Sequence, residues 1–198
     1  MPLERLKRFV ERPIQVERCD LCGRELSDDH DHVIEPAARR LTCVCGPCAV
    51  LFSASGTRKR VPRRVRALTG FRLTDAQWDE LRLPIDLAFF VKSTVHDRPV
   101  ANYPSPAGAT ESLLSLEAWD DIMRENPVLD EMEPDTEALL VNRVGHGRGG
   151  MQAEYFLVPI DQCYRLVGLI RTRWTGLSGG TEVWSAISGF FDELRRHA

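Results

Sequence analysis

Five of the six cysteines of this chain fall within one stretch of thirty residues. They are Cys19, Cys22, Cys43, Cys45 and Cys48. Two C-x-x-C pairs can be read in this stretch, and each such turn can direct two thiolates at one ion, so that two pairs complete a tetrahedron. The spacing therefore predicts a metal site in the N-terminal third of the chain.

The simplest ligand set joins the first C-x-x-C pair to the last one. It consists of Cys19, Cys22, Cys45 and Cys48, in the pattern C-x2-C-x22-C-x2-C. Gly23 allows the tight turn that points backbone amides at the first pair of sulfurs. Cys43 can replace Cys45 or remain a spare thiol, and His30 or His32 can replace one sulfur. Both histidines also fit an exposed polar loop.

Zinc is the expected metal, because this spacing is typical of structural zinc modules. Iron is the alternative, since four thiolates also bind iron in rubredoxin-like electron carriers. The segment between the pairs is charged and contains no Phe, Tyr or Trp, which favours zinc. Burial of the cysteines as small apolar residues and a redox dithiol are the two remaining interpretations.

The composition is that of a soluble globular protein, with 43% hydrophobic and 28% charged residues among 198. No apolar run approaches the roughly 20 residues that cross a bilayer, so no membrane contact is expected. The charged N-terminus lacks the apolar segment of a signal peptide. We therefore expect a cytoplasmic protein, in whose reducing compartment clustered cysteines bind metal more often than they form disulfides.

Charge divides the chain, with a net +5 over residues 1–66 and −8 over residues 67–198. We predict a cysteine module at 1–55 that begins with an amphipathic helix at 3–12, a basic linker at 56–70 and a larger domain at 71–198. The run Arg58–Arg66 holds six positive charges in nine residues. Such a run suits nucleic-acid phosphates, although an exposed linker is the more common meaning.

The larger domain mixes helix and strand patterns without regular alternation, which predicts an α+β fold. We expect a small zinc-ribbon-like module followed by a mixed or antiparallel sheet with packed helices. Strands are predicted at 85–95, at 137–144 and 154–160 as a hairpin around the glycine-rich loop 145–150, and at 164–174. Residues 97–109 contain three prolines and a glycine and are predicted as a loop.

Three helices are predicted in the larger domain from capping and hydrophobic periodicity. Thr74 and Gln77 form a capping box for the first. The second is capped by Ser115, contains Trp119 and ends before Pro127. The last begins near residue 181, and its apolar stripe is Trp184, Ile187, Phe190, Phe191 and Leu194.

A D-H-D-H segment between two C-x-x-C pairs resembles the zinc-stapled ββα-metal (His-Me finger) endonucleases. The resemblance implies that His30 or His32 is a general base and that Asp29 or Asp31 binds a divalent cation. The chain departs from that family at Ala49, where the second metal ligand is usually Asn or His, and the residues Val50, Leu51 and Phe52 that follow are apolar, which indicates packing. A nuclease or its inactive relative is therefore an alternative function.

Residues 155–191, together with the segment C-D-L-C-G-R-E-L, are similar to an uncharacterised family encoded beside aerobic nickel–iron uptake hydrogenases of actinobacteria. The resemblance covers nearly the whole chain and implies a gene neighbourhood rather than a mechanism. It implies an accessory, assembly or electron-transfer role, with the hydrogenase or a maturation factor as protein partner. That family has no assigned catalytic residues to transfer to this sequence.

These observations favour a metal-binding accessory or interaction protein with structural zinc, serving nickel–iron hydrogenase assembly or function. No Ser–His–Asp set can be assembled from the sequence, and no P-loop is present, so a non-enzymatic role is expected. The ββα-metal nuclease and the rubredoxin-like electron carrier are the two alternatives.

Overall fold

The computed structural model describes residues 16–54, 56–112, 116–146 and 152–198. The predicted helix at 3–12, the Ser115 cap and most of the glycine-rich loop lie outside the described residues. Within them the fold is α+β, as predicted, with two antiparallel sheets and five α-helices.

The smaller sheet belongs to the cysteine-rich segment and has the strand order β2-β1-β3. Its elements are β1 (Asp31–Glu35), β2 (Arg40–Val44), helix α1 (Gly46–Ser53) and β3 (Lys59–Arg60). Arg39, in the left-handed region at φ 48°, reverses the chain between β1 and β2. Side chains alternate along β1, so Val33 packs with the cysteines whereas Ile34 packs into the core of the larger sheet. Both faces of β1 are therefore buried.

The larger sheet has the strand order β4-β9-β8-β5-β6-β7. Its strands are β4 (Arg66–Ala67), β5 (Leu87–Ser93), β6 (Arg98–Ser105), β7 (Gly108–Ser112), β8 (Glu137–Asn142) and β9 (Glu154–Pro159). Every neighbouring pair is antiparallel. Strands β8 and β9 form the predicted hairpin, with Leu140 opposite Phe156.

Helices cover both faces of the larger sheet. They are α2 (Asp75–Glu80), α3 (Leu116–Glu125), α4 (Ile160–Arg173) and α5 (Gly180–His197). Leu87 and Phe89 of β5 point into the core formed with α4 and α5, whereas Ala88 and Phe90 point into the core formed with α2 and α3. Two separate apolar cores thus hold three layers together. Among the described residues, no helix has the length and apolar character that crossing a bilayer requires.

The capping box at Thr74 and the helices predicted from periodicity in the larger domain are confirmed. The Thr74 hydroxyl accepts the Gln77 N–H at 3.2 Å, and the Gln77 amide oxygen accepts the Thr74 N–H at 2.9 Å. Helix α3 ends before Pro127, and α5 begins one residue before the predicted position. Four residues of the α5 stripe are buried, but Trp184 is 41% exposed.

The strand predicted at 164–174 is wrong, because this segment forms most of α4. Apolar residues occupy both sets of alternating positions there, so alternation does not single out one buried face. The buried side chains Cys163, Leu166, Val167 and Ile170 recur every three or four residues. That spacing places them on one face of a helix, which packs against the sheet.

The loop predicted at 97–109 is also wrong, because β6 and the start of β7 lie there. Within the described residues, Pro99 pairs only with Lys92 of β5, and Pro104 pairs only with Ala109 of β7. Among the residues that the structure describes, each proline therefore sits where β6 has a neighbour on one side only. A strand tolerates a residue without an N–H at such positions.

The basic segment predicted as a linker contributes one strand to each sheet, β3 to the smaller and β4 to the larger. Lys59 of β3 also reaches the larger sheet, where its Nζ lies 2.6 Å from Oδ2 of Asp135. The division of the chain at residues 55 and 70 stays a prediction.

Candidate metal centre

The first cysteine pair lies in a tight turn before the smaller sheet. The Cys19 carbonyl accepts the Gly23 N–H at 2.8 Å, and Gly23 has a left-handed backbone with φ 73°. A side chain at that position would be strained, so the glycine serves the turn as the sequence predicts. The bridge between Arg18 and Glu25 closes the base of the turn.

The second pair lies at the start of helix α1. Cys45 is the N-cap residue, Pro47 occupies the first turn and Cys48 follows it within the same turn. Proline suits this place because the first amides of a helix have no intrahelical partner. The positive end of the helix dipole therefore lies at this pair of cysteines.

The fold brings the four predicted ligands together. The Sγ atoms of Cys19, Cys22, Cys45 and Cys48 all lie within 4.8 Å of one another. Those of Cys22 and Cys45 are 3.7 Å apart, far beyond the roughly 2.05 Å of a disulfide bond. Cys22 is exposed, and the other three are buried. This group can hold a metal ion.

The electrostatics of the group differ from one thiol to the next. Burial raises the pKa of Cys19, but hydrogen bonds from the backbone of Cys45, Leu21 and Cys22 outweigh it and lower that pKa to about 6. Burial and the neighbouring thiols raise the pKa of Cys48 to about 12. A divalent cation would remove the repulsion between ionised sulfurs and stabilise all four as thiolates.

Cys43, His30 and His32 form a separate group on the other face of the β1–β2 hairpin. The two histidines are two residues apart and project to one side, and Cys43 is the register partner of His32. Their ligand atoms also lie within 4.8 Å of one another. The structure therefore places these residues together and away from the four-cysteine group.

The residues singled out by the nuclease resemblance have other partners. Oδ1 of Asp31 lies 3.0 Å from Arg60 and 3.4 Å from Arg63, and Oδ2 of Asp29 lies 2.9 Å from Arg63. Ala49 is fully buried in the cysteine core. Both carboxylates that would bind the catalytic cation are thus occupied by guanidinium groups.

Each positive side chain of the segment 58–66 has a carboxylate within 3.8 Å. The pairs are Arg58–Glu35, Lys59–Asp135, Arg60–Asp31, Arg63–Asp29, Arg64–Glu137 and Arg66–Glu131. A nucleic-acid phosphate would have to compete with these acidic partners.

The model of a family of unknown function (DUF5947) matches residues 18–198, which include both cysteine pairs, both sheets and all the described helices. The chain belongs to the DUF5947 family. The expectation of an uncharacterised family is thereby confirmed. Comparison with curated proteins and with solved structures found no match.

Two features of this DUF5947 chain were not anticipated from its sequence. Asp161, in the first turn of α4, has its Oδ2 3.0 Å from Nδ1 of His32. No local sequence signal predicts this contact, because it depends on the packing of α4 beside the β1–β2 hairpin. Val50 and Leu51 are 61% and 70% exposed, although their apolar character was interpreted as packing.

Proposed function

We propose that this protein is a zinc-stabilised, non-enzymatic accessory protein that binds a protein partner. The observation that carries the proposal is the convergence of four Sγ atoms, from Cys19, Cys22, Cys45 and Cys48, to within 4.8 Å. Residues more than twenty positions apart supply the two halves of the group. An ion bound there would tie the first turn to helix α1.

The donor set and the spacing both fit zinc. Four thiolates form a common structural zinc site, with Zn–S bonds of about 2.3 Å, which places neighbouring sulfurs about 3.8 Å apart in a tetrahedron. The 3.7 Å between Sγ of Cys22 and Cys45 agrees with that value. The ion would supply cohesion to a segment whose apolar core is small.

Two observations support binding over catalysis. Asp31 is held by Arg60 and Arg63, so the carboxylate expected of a ββα-metal nuclease is already paired. Helix α1 exposes Val50 and Leu51 beside the metal group, and neighbouring exposed apolar side chains are typical of protein contact surfaces. We propose that this face of α1 contacts the partner.

The proposed partner is a nickel–iron hydrogenase or a factor of its assembly. This part of the proposal rests on the sequence resemblance over residues 155–191 and the first cysteine pair. It is tested by size-exclusion chromatography of the purified protein mixed with purified hydrogenase subunits. A complex that Leu51→Asp weakens at unchanged zinc content would support it, and separate elution of all components would refute it.

The metal is tested by elemental analysis of full-length protein made without added metal. We expect colourless protein containing zinc, from which Cys22→Ser removes one equivalent. Cys163→Ala, which changes a cysteine buried in the core of the larger sheet, is the matched control and keeps the wild-type content. Red, iron-containing protein would instead support the electron carrier, and full zinc content in Cys22→Ser would contradict the ligand assignment.

A further inference from the structure

His30 has a buried ring nitrogen without a partner. Its side chain is 7% exposed, and its Nδ1 lies 2.9 Å from the Ser27 carbonyl oxygen. A carbonyl can only accept, so Nδ1 donates, and in the neutral imidazole Nε2 then carries the lone pair. Among the described residues, Nε2 of His30 has no hydrogen-bond partner. A buried acceptor left without a donor or a cation is unfavourable and calls for an explanation.

His32 shows the same arrangement with a different acceptor. Its Nδ1 lies 3.0 Å from Oδ2 of Asp161, and since the carboxylate accepts, Nε2 is the nitrogen with the lone pair in the neutral ring. Metal-binding histidines usually donate their other ring N–H to a carboxylate or a carbonyl, which fixes the orientation of the ring. Asp161 and the Ser27 carbonyl occupy those two supporting positions here. The second carboxylate oxygen of Asp161, Oδ1, is also buried without a partner.

Cys43 completes the group from the neighbouring strand. It lies opposite His32 in the β1–β2 register, and the two imidazole rings are 4.7 Å apart between centroids. One ring nitrogen of each histidine and Sγ of Cys43 lie within 4.8 Å of one another. Two imidazoles and one thiolate are a donor set for zinc and its first-row neighbours, not for magnesium or calcium.

We propose that His30, His32 and Cys43 form a second metal site, which binds a divalent transition-metal ion of the zinc class between the β1–β2 hairpin and helix α4. Both imidazoles bind through Nε2, and Asp161 orients His32. The three residues leave a fourth position open, which is the pattern of zinc sites that accept water or an external ligand. The Glu17 carboxylate borders the group, 3.6 Å from Sγ of Cys43 and 3.9 Å from Nδ1 of His30.

This site differs in kind from the four-cysteine group on the other face of the hairpin. Four thiolates close the coordination sphere of their ion, whereas three ligands leave it open. We therefore expect the first ion to stay bound through purification and the second to exchange. The proposal does not depend on the identity of the protein partner.

The test is a zinc titration of the full chain under reducing conditions, with the number of bound ions read by native mass spectrometry. Wild-type protein is expected to bind two zinc ions, and His30→Ala and Cys43→Ser are expected to bind one. His96→Ala and His197→Ala change histidines outside the group and should bind two. One ion in the wild type, or two in folded His30→Ala and Cys43→Ser, would overturn the proposal.

Two further measurements guard against loss of fold in the variants. Asp161→Asn keeps all three ligands, so it should still bind two ions, with affinity for the second lowered by about 10- to 100-fold. Co²⁺ added to wild-type protein that retains its first zinc should give a thiolate-to-cobalt absorption band that Cys43→Ser lacks. The same band in Cys43→Ser, or unchanged affinity in Asp161→Asn, would contradict the assigned ligands and their support.

Discussion

The two sheets of this protein obtain their cohesion from different sources. Among the described residues, three of the six buried members of the cysteine-rich core are themselves cysteines, whereas the two cores of the larger sheet contain eighteen and thirteen residues, nearly all aliphatic or aromatic. A core of six small side chains buries too little apolar surface to order its own segment. On the proposed function, metal–sulfur bonds supply the cohesion that this small core lacks, whereas the larger sheet is held by apolar burial.

The two regions nevertheless share an interface. Ile34 of β1 and Val61, which follows β3, pack into the core of the larger sheet beneath α4. Lys59 forms an ion pair with Asp135 across the same boundary. The face of β1 that contains Ile34 thus packs on the larger sheet. The two sheets share this interface but differ in the size and composition of their own cores.

Removing the metal should produce the largest difference in stability between the two sheets. We expect a strong chelator to abolish amide-exchange protection in β1 and β2 while the protection of β8 and β9 persists. The physical reason is that structural zinc contributes an apparent free energy of about 10–16 kcal/mol in small zinc modules. Hydrogen–deuterium exchange with mass spectrometry measures both regions in one sample. Unchanged protection in β1 and β2 after complete zinc removal would show that the apolar contacts suffice.

A substitution that creates a cavity in the apolar core of the larger sheet should lower stability without changing the zinc content. Leu140 is fully buried in β8, and Leu140→Ala should lower the free energy of unfolding by about 2–5 kcal/mol. Its zinc content should remain that of the wild type, because the change lies in the apolar core. Urea denaturation and elemental analysis provide the two readings. Leu177→Ala, at a fully exposed leucine, is the control and should change neither.

The ion pair between Lys59 and Asp135 at the boundary of the two sheets should contribute less to the free energy of unfolding, and its contribution should depend on pH. Burial raises the pKa of Asp135, but hydrogen bonds from Lys59 and Thr94 outweigh it and lower that pKa in the folded protein. Asp135→Asn should reduce the free energy of unfolding by about 1.5–3 kcal/mol at neutral pH, as expected for a charged hydrogen bond. Asparagine also tolerates the left-handed backbone of this position (φ 67°).

The sign of the pH effect follows from the lowered pKa. Above about pH 5 the carboxylate is ionised in both the folded and the unfolded chain, so its full contribution is present. As the pH falls through the ordinary pKa and then the folded-state pKa, the unfolded chain binds the proton first and the contribution disappears. The difference between wild type and Asp135→Asn should therefore shrink on acidification. Wild type and Asp135→Asn have the same cysteines, so titration of the thiols affects both equally. If the stability curves of the two proteins ran parallel from pH 7 to pH 3, this role of Asp135 would be contradicted.

Local sequence signals predicted those parts of the fold in which one interaction dominates. The capping box at Thr74 and the apolar runs of β8 and β9 need no distant partner to be recognised. The spacing of the four cysteines predicts the cluster that the structure shows, because the turn at Gly23 and the helix start at Cys45 are both local structures.

The failures arise where tertiary context decides. Alternation at 164–174 was ambiguous because apolar side chains lie at both odd and even positions, and only the sheet surface selects the face containing Leu166 and Ile170. Pro99 and Pro104 indicate a loop in the sequence. They fit a strand only because, among the described residues, each has a pairing partner on one side of β6. Asp161 reaches His32 only because α4 packs behind the hairpin, and nothing near either residue in the sequence encodes that contact.

The smallest expected effect concerns the first residues of the short helices α1 and α2, one in each region. Helix α1 has no side-chain hydrogen bond at its Cys45 cap, whereas α2 is capped by the Thr74 hydroxyl. Thr74→Ala should therefore lower the free energy of unfolding by about 1 kcal/mol. It should leave the zinc content unchanged, because the lost hydrogen bond belongs to the region of the larger sheet and not to the cysteine-rich segment.

The matched control for this cap is Thr74→Ser, which retains an oxygen that can accept the Gln77 N–H. We expect it to unfold within a few tenths of a kcal/mol of the wild type in urea. Equal loss of stability in both variants would mean that the threonine methyl group, not the capping bond, stabilises the start of α2. In that case neither α1 nor α2 would depend on a side-chain cap.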